Sequence, residues 1–140
     1  MIFYFIGLFF TVLAALAEGI SDAIIIKRAG RISHKIYDRV VYMMICSIGT
    51  ALTFMDGQGT VLGAALTIIL IVANLSSIYW IVFELVLNYK MRWGLFHVGT
   101  TAATDQKLRS MFGQYVELAL VIMKITLATG TSYLVYYCLS

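Results

Sequence analysis

The sequence predicts an all-α polytopic membrane protein: a four-transmembrane-helix bundle with a cytoplasmic interfacial helix between spans three and four. Three observations carry that expectation. Of 140 residues 61% are hydrophobic and 12% charged, with a mean hydropathy of +0.92, which leaves too little polar surface to coat a soluble domain. The apolar residues fall in runs of helical span length rather than in the alternating ~10-residue segments of a membrane barrel. Nine of the ten Lys and Arg residues sit in two of the three connecting segments, which fixes an orientation as well as a span count. At ~20 residues per crossing the chain holds four or five spans, and so a single transmembrane domain covering 1–140.

The first span is expected at 2–26. It opens with seventeen residues in which Thr11 is the most polar side chain, then meets Glu18, Gly19, Ser21 and Asp22. A secretory signal cleaved after Ala15-Leu16-Ala17 is the competing reading. No basic segment precedes the apolar run, and cleavage there would deliver the next five basic residues to the wrong face, so an uncleaved span is expected. Lys27, Arg28, Arg31, Lys35 and Arg39 then stand against Asp38. A short basic loop beside a span reads as the positive-inside signal rather than a nucleic-acid patch, and His34 within it as a solvated histidine.

The second span is expected at 37–54 and ends at the turn Met55-Asp56-Gly57-Gln58-Gly59, long enough only for a helix hairpin. Gly57, Gly59 and Gly63 lack the spacing and the preceding strand of a dinucleotide fingerprint. Gly59 and Gly63 instead read as a small-residue face for a neighbouring helix. The third span, 60–87, is longer than an upright crossing needs and carries Asn74, Ser76 and Ser77 near mid-depth, then Tyr79, Trp80 and Glu84. Asn74-Leu75-Ser76 matches a glycosylation sequon only formally. Within an apolar run the Asn74 amide is expected to bond another helix.

Residues 88–114 form a polar and aromatic island, with Lys90, Arg92, Lys107 and Arg109 against Asp105. The fourth span is expected at 115–138, with Glu117 near its start, Lys124 well inside, and Tyr133, Tyr136 and Tyr137 as an aromatic belt. No proline kinks any span. Cys46 and Cys138 read as free packing residues. Four spans place both basic loops on one side, predicted to be cytoplasmic, and both termini outside the cytoplasm, in the inner (cytoplasmic) membrane of a bacterial cell.

Counting ~1.5 Å per residue from the outer ends brings Glu18, Asp22, Glu84 and Glu117 into one layer in the cytoplasmic third. Each such charge costs ~2.5–3.5 kcal/mol at the bilayer centre and less toward the interface, so the layer should face the bundle interior. One reading makes it an active or metal site, with His97 and Asp105 added from the loop. However, no Glu-x-x-His or His-Glu-x-x-His motif is present, and no nucleophile is flanked by a base. The leading reading is that the carboxylates pair with Lys, Arg and Trp of the loops and pin them to the bundle. No cofactor is expected, and a metal belongs only to the alternative. Lys124 lies deepest, and Glu117, Lys124 and Asn74 together suggest an ion or proton path, with a Glu-paired or snorkelling lysine as the simpler account.

The run Trp93-Gly94-Leu95-Phe96-His97-Val98-Gly99-Thr100-Thr101-Ala102, followed by Asp105 and preceded by Phe83-Glu84 and Leu87-Asn88, resembles small four-span membrane proteins of Bacteroidota-type bacteria and their phages. Glu18 and Asp22, four apart, also fit that pattern. His97 stands where the pattern has an aromatic such as tyrosine. The resemblance implies a class, with the virion membrane as a further location for a phage-encoded member, and no activity. Physically, Gly94 and Gly99 permit a tight turn, Thr100 or Thr101 caps a helix over 102–112, and Asp105 pairs with Arg109 on it. Trp93 and Phe96 anchor at headgroup depth, and Leu108, Met111 and Phe112 face the membrane. The expected function is that of a structural or interaction subunit, in a homo-oligomer or a larger membrane complex, with bilayer lipid and anionic headgroups as partners and no nucleic acid. The alternative is a membrane-embedded enzyme or ion pathway built on the carboxylate layer.

Overall fold

A computed structural model describes residues 2–29, 60–97 and 103–139. Within them are four α-helices: α1, Ile2–Ala29; α2, Val61–Met91; α3, Ala103–Phe112; and α4, Val116–Leu139, with a 3-10 turn, Gly113–Tyr115, between the last two. The described residues contain no strand. Three segments, Tyr4–Arg28, Val61–Met91 and Gln106–Cys138, are long and apolar enough to cross a bilayer. They correspond to the expected first, third and fourth spans. The expected second span, 37–54, the hairpin after it and most of the first basic loop lie outside the described residues.

Each helix start and stop has a local cause. Thr60 caps α2 in extended conformation, its Oγ1 accepting the Gly63 N–H at 3.1 Å. The helix ends where Arg92 adopts φ 60°, which lets the Arg92 N–H bond Tyr89 O at 3.2 Å and the Trp93 N–H bond Asn88 O at 3.0 Å. This is the Schellman arrangement, built with arginine where glycine would be unstrained. Between α3 and α4 the chain turns on Gly113, φ 55°, so a left-handed glycine bends this proline-free chain.

The buried stripes set the packing. On α1 the small residues Ala15, Gly19 and Ala23 are buried at four-residue spacing and face α2. A Cβ built on Gly19 would lie 3.0 Å from Val86 Cβ and 3.1 Å from Phe83 O, so the two backbones approach closely only because the residue is glycine. This is the small-residue contact the structure uses. At Gly63, an added Cβ would meet only the helix's own cap, Thr60 Oγ1 at 3.3 Å, among the described residues, and Gly59 lies outside them.

α2 sits between α1 and α4. Partners rise together along α1 and α2, from Tyr4 with Asn74 to Glu18 with Tyr79 and Gly19 with Val86, so these helices run parallel. Partners fall along α4, Asn74 with Thr131 and Glu84 with Lys124, so α4 is antiparallel to α2. One apolar cluster gathers Ala15, Ile71, Leu75, Tyr79, Phe83 and Val135, and a second joins Val116 and Leu120 to Trp80 and Leu108. Leu108 therefore turns toward the bundle, contrary to the expectation that it faces lipid with Met111 and Phe112, which are exposed. The outward faces are as oily as the inward ones: Phe5, Phe9, Leu66, Ile69, Leu118 and Ile122 are all more than half exposed. Such a coat suits a hydrocarbon solvent and not water.

Candidate functional site

Because α1 and α2 are parallel and α4 is antiparallel, Lys27 and Arg28, Lys90 and Arg92, and Lys107 and Arg109 collect at one end of the molecule. Among the described residues the opposite end holds no Lys or Arg, and Lys124 alone stands away from both ends. Three polar constellations lie along the axis between the two ends.

The first is at mid-helix. Asn74 is fully buried, and its Oδ1 accepts the Tyr4 hydroxyl at 2.6 Å. Its Nδ2 donates to Ser132 Oγ at 2.8 Å, Thr131 Oγ1 at 3.0 Å and Ala128 O at 3.3 Å. Thr131 Oγ1 donates to Leu127 O at 2.6 Å, so it is free to accept from the amide. One side chain thus ties α1, α2 and α4 together, with two N–H groups shared over three acceptors. Lys124 is not among these partners.

The second lies between α1 and α2. The Tyr79 hydroxyl donates to Glu18 Oε2, and the Tyr79 ring stacks on Phe83 with centroids 6.0 Å apart. Asp22, one turn beyond Glu18 on α1, is buried.

The third lies between α2 and α4 and has the most chemistry. Glu84 accepts the indole N–H of Trp80 at one oxygen and pairs with the Lys124 ammonium at the other. That ammonium also sits 4.3 Å from the centre of the Trp80 ring, a cation–π contact. Lys124 falls on the buried stripe Val116, Leu120, Lys124, Thr131, Val135 of α4, which is why it cannot snorkel out. Beside the pair is a cavity of about 190 Å³, lined by Glu84, Glu117 and Lys124 and by apolar side chains including Leu95, Phe96 and Leu120. Its mouth is roofed by the turn after α2. Asn88, 3% exposed, holds that turn by donating to Leu95 O at 3.0 Å and His97 O at 3.1 Å, while the His97 N–H bonds Gly94 O at 2.9 Å.

The predicted layer of Glu18, Asp22, Glu84 and Glu117 therefore divides. Glu18 and Asp22 belong to the α1 side, Glu84 and Glu117 to the α4 side; among the described residues Glu18 bonds Tyr79, and Glu84 bonds Trp80 and Lys124, while Arg31, Lys35 and Arg39 of the first basic loop lie outside them. Glu117 does face the loop, with His97 Nδ1 3.8 Å from its Oε1, too long for a hydrogen bond and an ion pair only when the imidazole is protonated. Trp93 packs on His97 at 5.0 Å between ring centres, and both Trp93 and Phe96 are exposed on their outer sides. Thr100 and Thr101 lie outside the described residues. Asp105 is on α3, and its side chain is not among those described. Among the described residues no three His, Cys, Asp or Glu side chains are grouped to hold a metal ion.

Sequence reasoning placed Asn74 and Glu84 but missed Asn88, Tyr4 and the i, i+4 pair Trp80 and Glu84. The last was readable from spacing alone. Tyr4 and Asn88 carried no signal beyond their chemistry. No protein-family model, curated protein or solved structure matches this chain.

Proposed function

We propose that the chain is a four-span integral membrane subunit whose role is structural: it presents a rigid, lipid-coated bundle for association with further copies or with a larger membrane complex. The observation that carries this reading is that, among the described residues, Asn74, Glu18 and Glu84 each bond a side chain on a neighbouring helix. Asn74 is occupied by Tyr4, Thr131 and Ser132, Glu18 bonds Tyr79, and Glu84 bonds Lys124. Polar groups arranged in this way join helices.

The parallel course of α1 and α2 supports four crossings. α1 finishes at the basic end and α2 begins at the other, so if both span the bilayer, the chain must return between them. Orientation follows from the charge: the basic end is cytoplasmic, both termini are on the opposite side, and α3 lies at the cytoplasmic interface with Met111 and Phe112 toward lipid. Anionic headgroups neutralise Lys27, Arg28, Lys90 and Arg92 there.

The cavity beside Glu84, Glu117 and Lys124 favours a second reading, an ion or proton pathway or a lipid-directed enzyme. Proteoliposomes separate the two. The structural reading expects no dye-reported proton or alkali-cation flux under an imposed gradient. Flux that disappears in a folded Lys124→Met variant would establish the pathway instead.

A further inference from the structure

We infer that the cavity between α2 and α4 is a binding site for a phospholipid carrying a primary ammonium headgroup, that is, an ethanolamine-type zwitterionic lipid. The inference rests on the membrane placement and is independent of the subunit role.

The cavity runs along α4 from Glu117 to Ile125, eight residues, or ~12 Å of helix. Its walls are chiefly apolar, Leu85, Leu120 and Val121 among them, and its volume of about 190 Å³ exceeds the ~150 Å³ that admits an aromatic ring in a protein interior. A cavity with such walls, between membrane helices, takes an acyl chain segment rather than water.

Charge selects the headgroup. Within the cavity Glu84 is balanced by Lys124, which leaves Glu117 at the mouth as an additional carboxylate, its side chain 48% exposed. Among the described lining residues two carboxylates stand against one ammonium, an excess that repels an anionic lipid and accepts one cation. Phe96 on the roof adds a ring beside the place such a cation would occupy. Lys90, Arg92 and Lys107 are all exposed at this end of the molecule. A carboxylate lining the cavity and cations exposed at the same end are what an ammonium and its phosphate require. A choline headgroup has no N–H to give Glu117, and a glycerol headgroup has no cation.

The test is native mass spectrometry of the full chain released from nanodiscs containing equal parts of dioleoyl phosphatidylethanolamine, phosphatidylcholine and phosphatidylglycerol. The wild type should retain the ethanolamine lipid about tenfold over each of the others, the effect of one charge-assisted hydrogen bond. Glu117→Gln should bring the three lipids to parity, and Val121→Trp should reduce retention of all three by filling the slot. Equal retention of the three lipids by the wild type, or preference for the glycerol lipid, overturns the assignment, as does an unchanged preference in Glu117→Gln. The wild-type ranking decides the matter even where a variant does not fold. A failed membrane placement would show separately, as a chain absent from the nanodisc fraction.

Discussion

Removing the Lys124 charge by Lys124→Met leaves the Glu84 carboxylate with the Trp80 N–H as its remaining named partner. Removing the Glu84 charge by Glu84→Gln strands the ammonium, whose side chain is 8% exposed against 30% for Glu84. Breaking a buried pair from one side costs roughly 3–5 kcal/mol, because the surviving charge is uncompensated. The more enclosed ammonium should bring Glu84→Gln well within that range, near 4 kcal/mol. Lys124→Met should cost nearer 2 kcal/mol, since Glu84 is partly exposed and keeps the Trp80 N–H. Gln and Met together match the original pair in size, and the double variant should lie within about 1 kcal/mol of wild type. The coupling energy in a double-mutant cycle is then roughly 5 kcal/mol, measured by equilibrium unfolding in mixed micelles. Strictly additive single losses, with no recovery in the double variant, would refute the claim that Glu84 and Lys124 hold α2 to α4 as a pair.

Other expectations follow from the same packing. Asn74→Leu removes the side-chain tie among three helices and should lower stability by about 1–2 kcal/mol in micelles, given the modest net worth of interhelical hydrogen bonds in membranes. An unchanged unfolding midpoint would contradict it. Gly19→Ala should cost about 1–3 kcal/mol, read as unfolding in micelles, through the 3.0 Å approach to Val86 Cβ and the 3.1 Å approach to Phe83 O, and adding Val86→Ala, which keeps that Cβ, should restore little of it. Arg92→Gly relieves a left-handed backbone at φ 60° and should stabilise by about 1 kcal/mol, whereas Arg92→Val should destabilise; a thermal melt of the two variants gives the order. Asn88→Ala frees the carbonyls of Leu95 and His97, and hydrogen exchange of the 92–97 turn should rise sharply while α1 stays protected.

The helical class and the three described spans were legible because a run of apolar residues and its polar flanks are local properties. The break at Gly113 was also legible, since the island ends in a glycine between an amphipathic and an apolar stretch. Relative placement was less so. Depth counting put Glu18 and Glu84 in one layer correctly as to height along the axis, but height says nothing about which side of α2 a residue faces. Tyr79 and Trp80, adjacent in sequence and ~100° apart around the helix, send Glu18 and Glu84 to different neighbours. A close helix contact forms at Gly19, where Phe83 and Val86 stand opposite, while the small-residue face expected at Gly59 and Gly63 lies partly outside the described residues. A small residue every fourth position is present in both stretches. Lys124 was expected to be Glu-paired or to snorkel, and it pairs with Glu84. Its four-residue register with Val116 and Leu120 ties it to the interior, and that register was visible in the sequence.

The parallel α1 and α2 and the antiparallel α4 meet their most direct test in the topology of the whole chain. Single cysteines at Asp56 and Ser110, in a background free of Cys46 and Cys138, are labelled with a membrane-impermeant maleimide in intact cells and again after permeabilisation. The four-span account predicts labelling of Asp56→Cys in intact cells and of Ser110→Cys only after permeabilisation. Labelling of both in intact cells, or the reverse order, contradicts it.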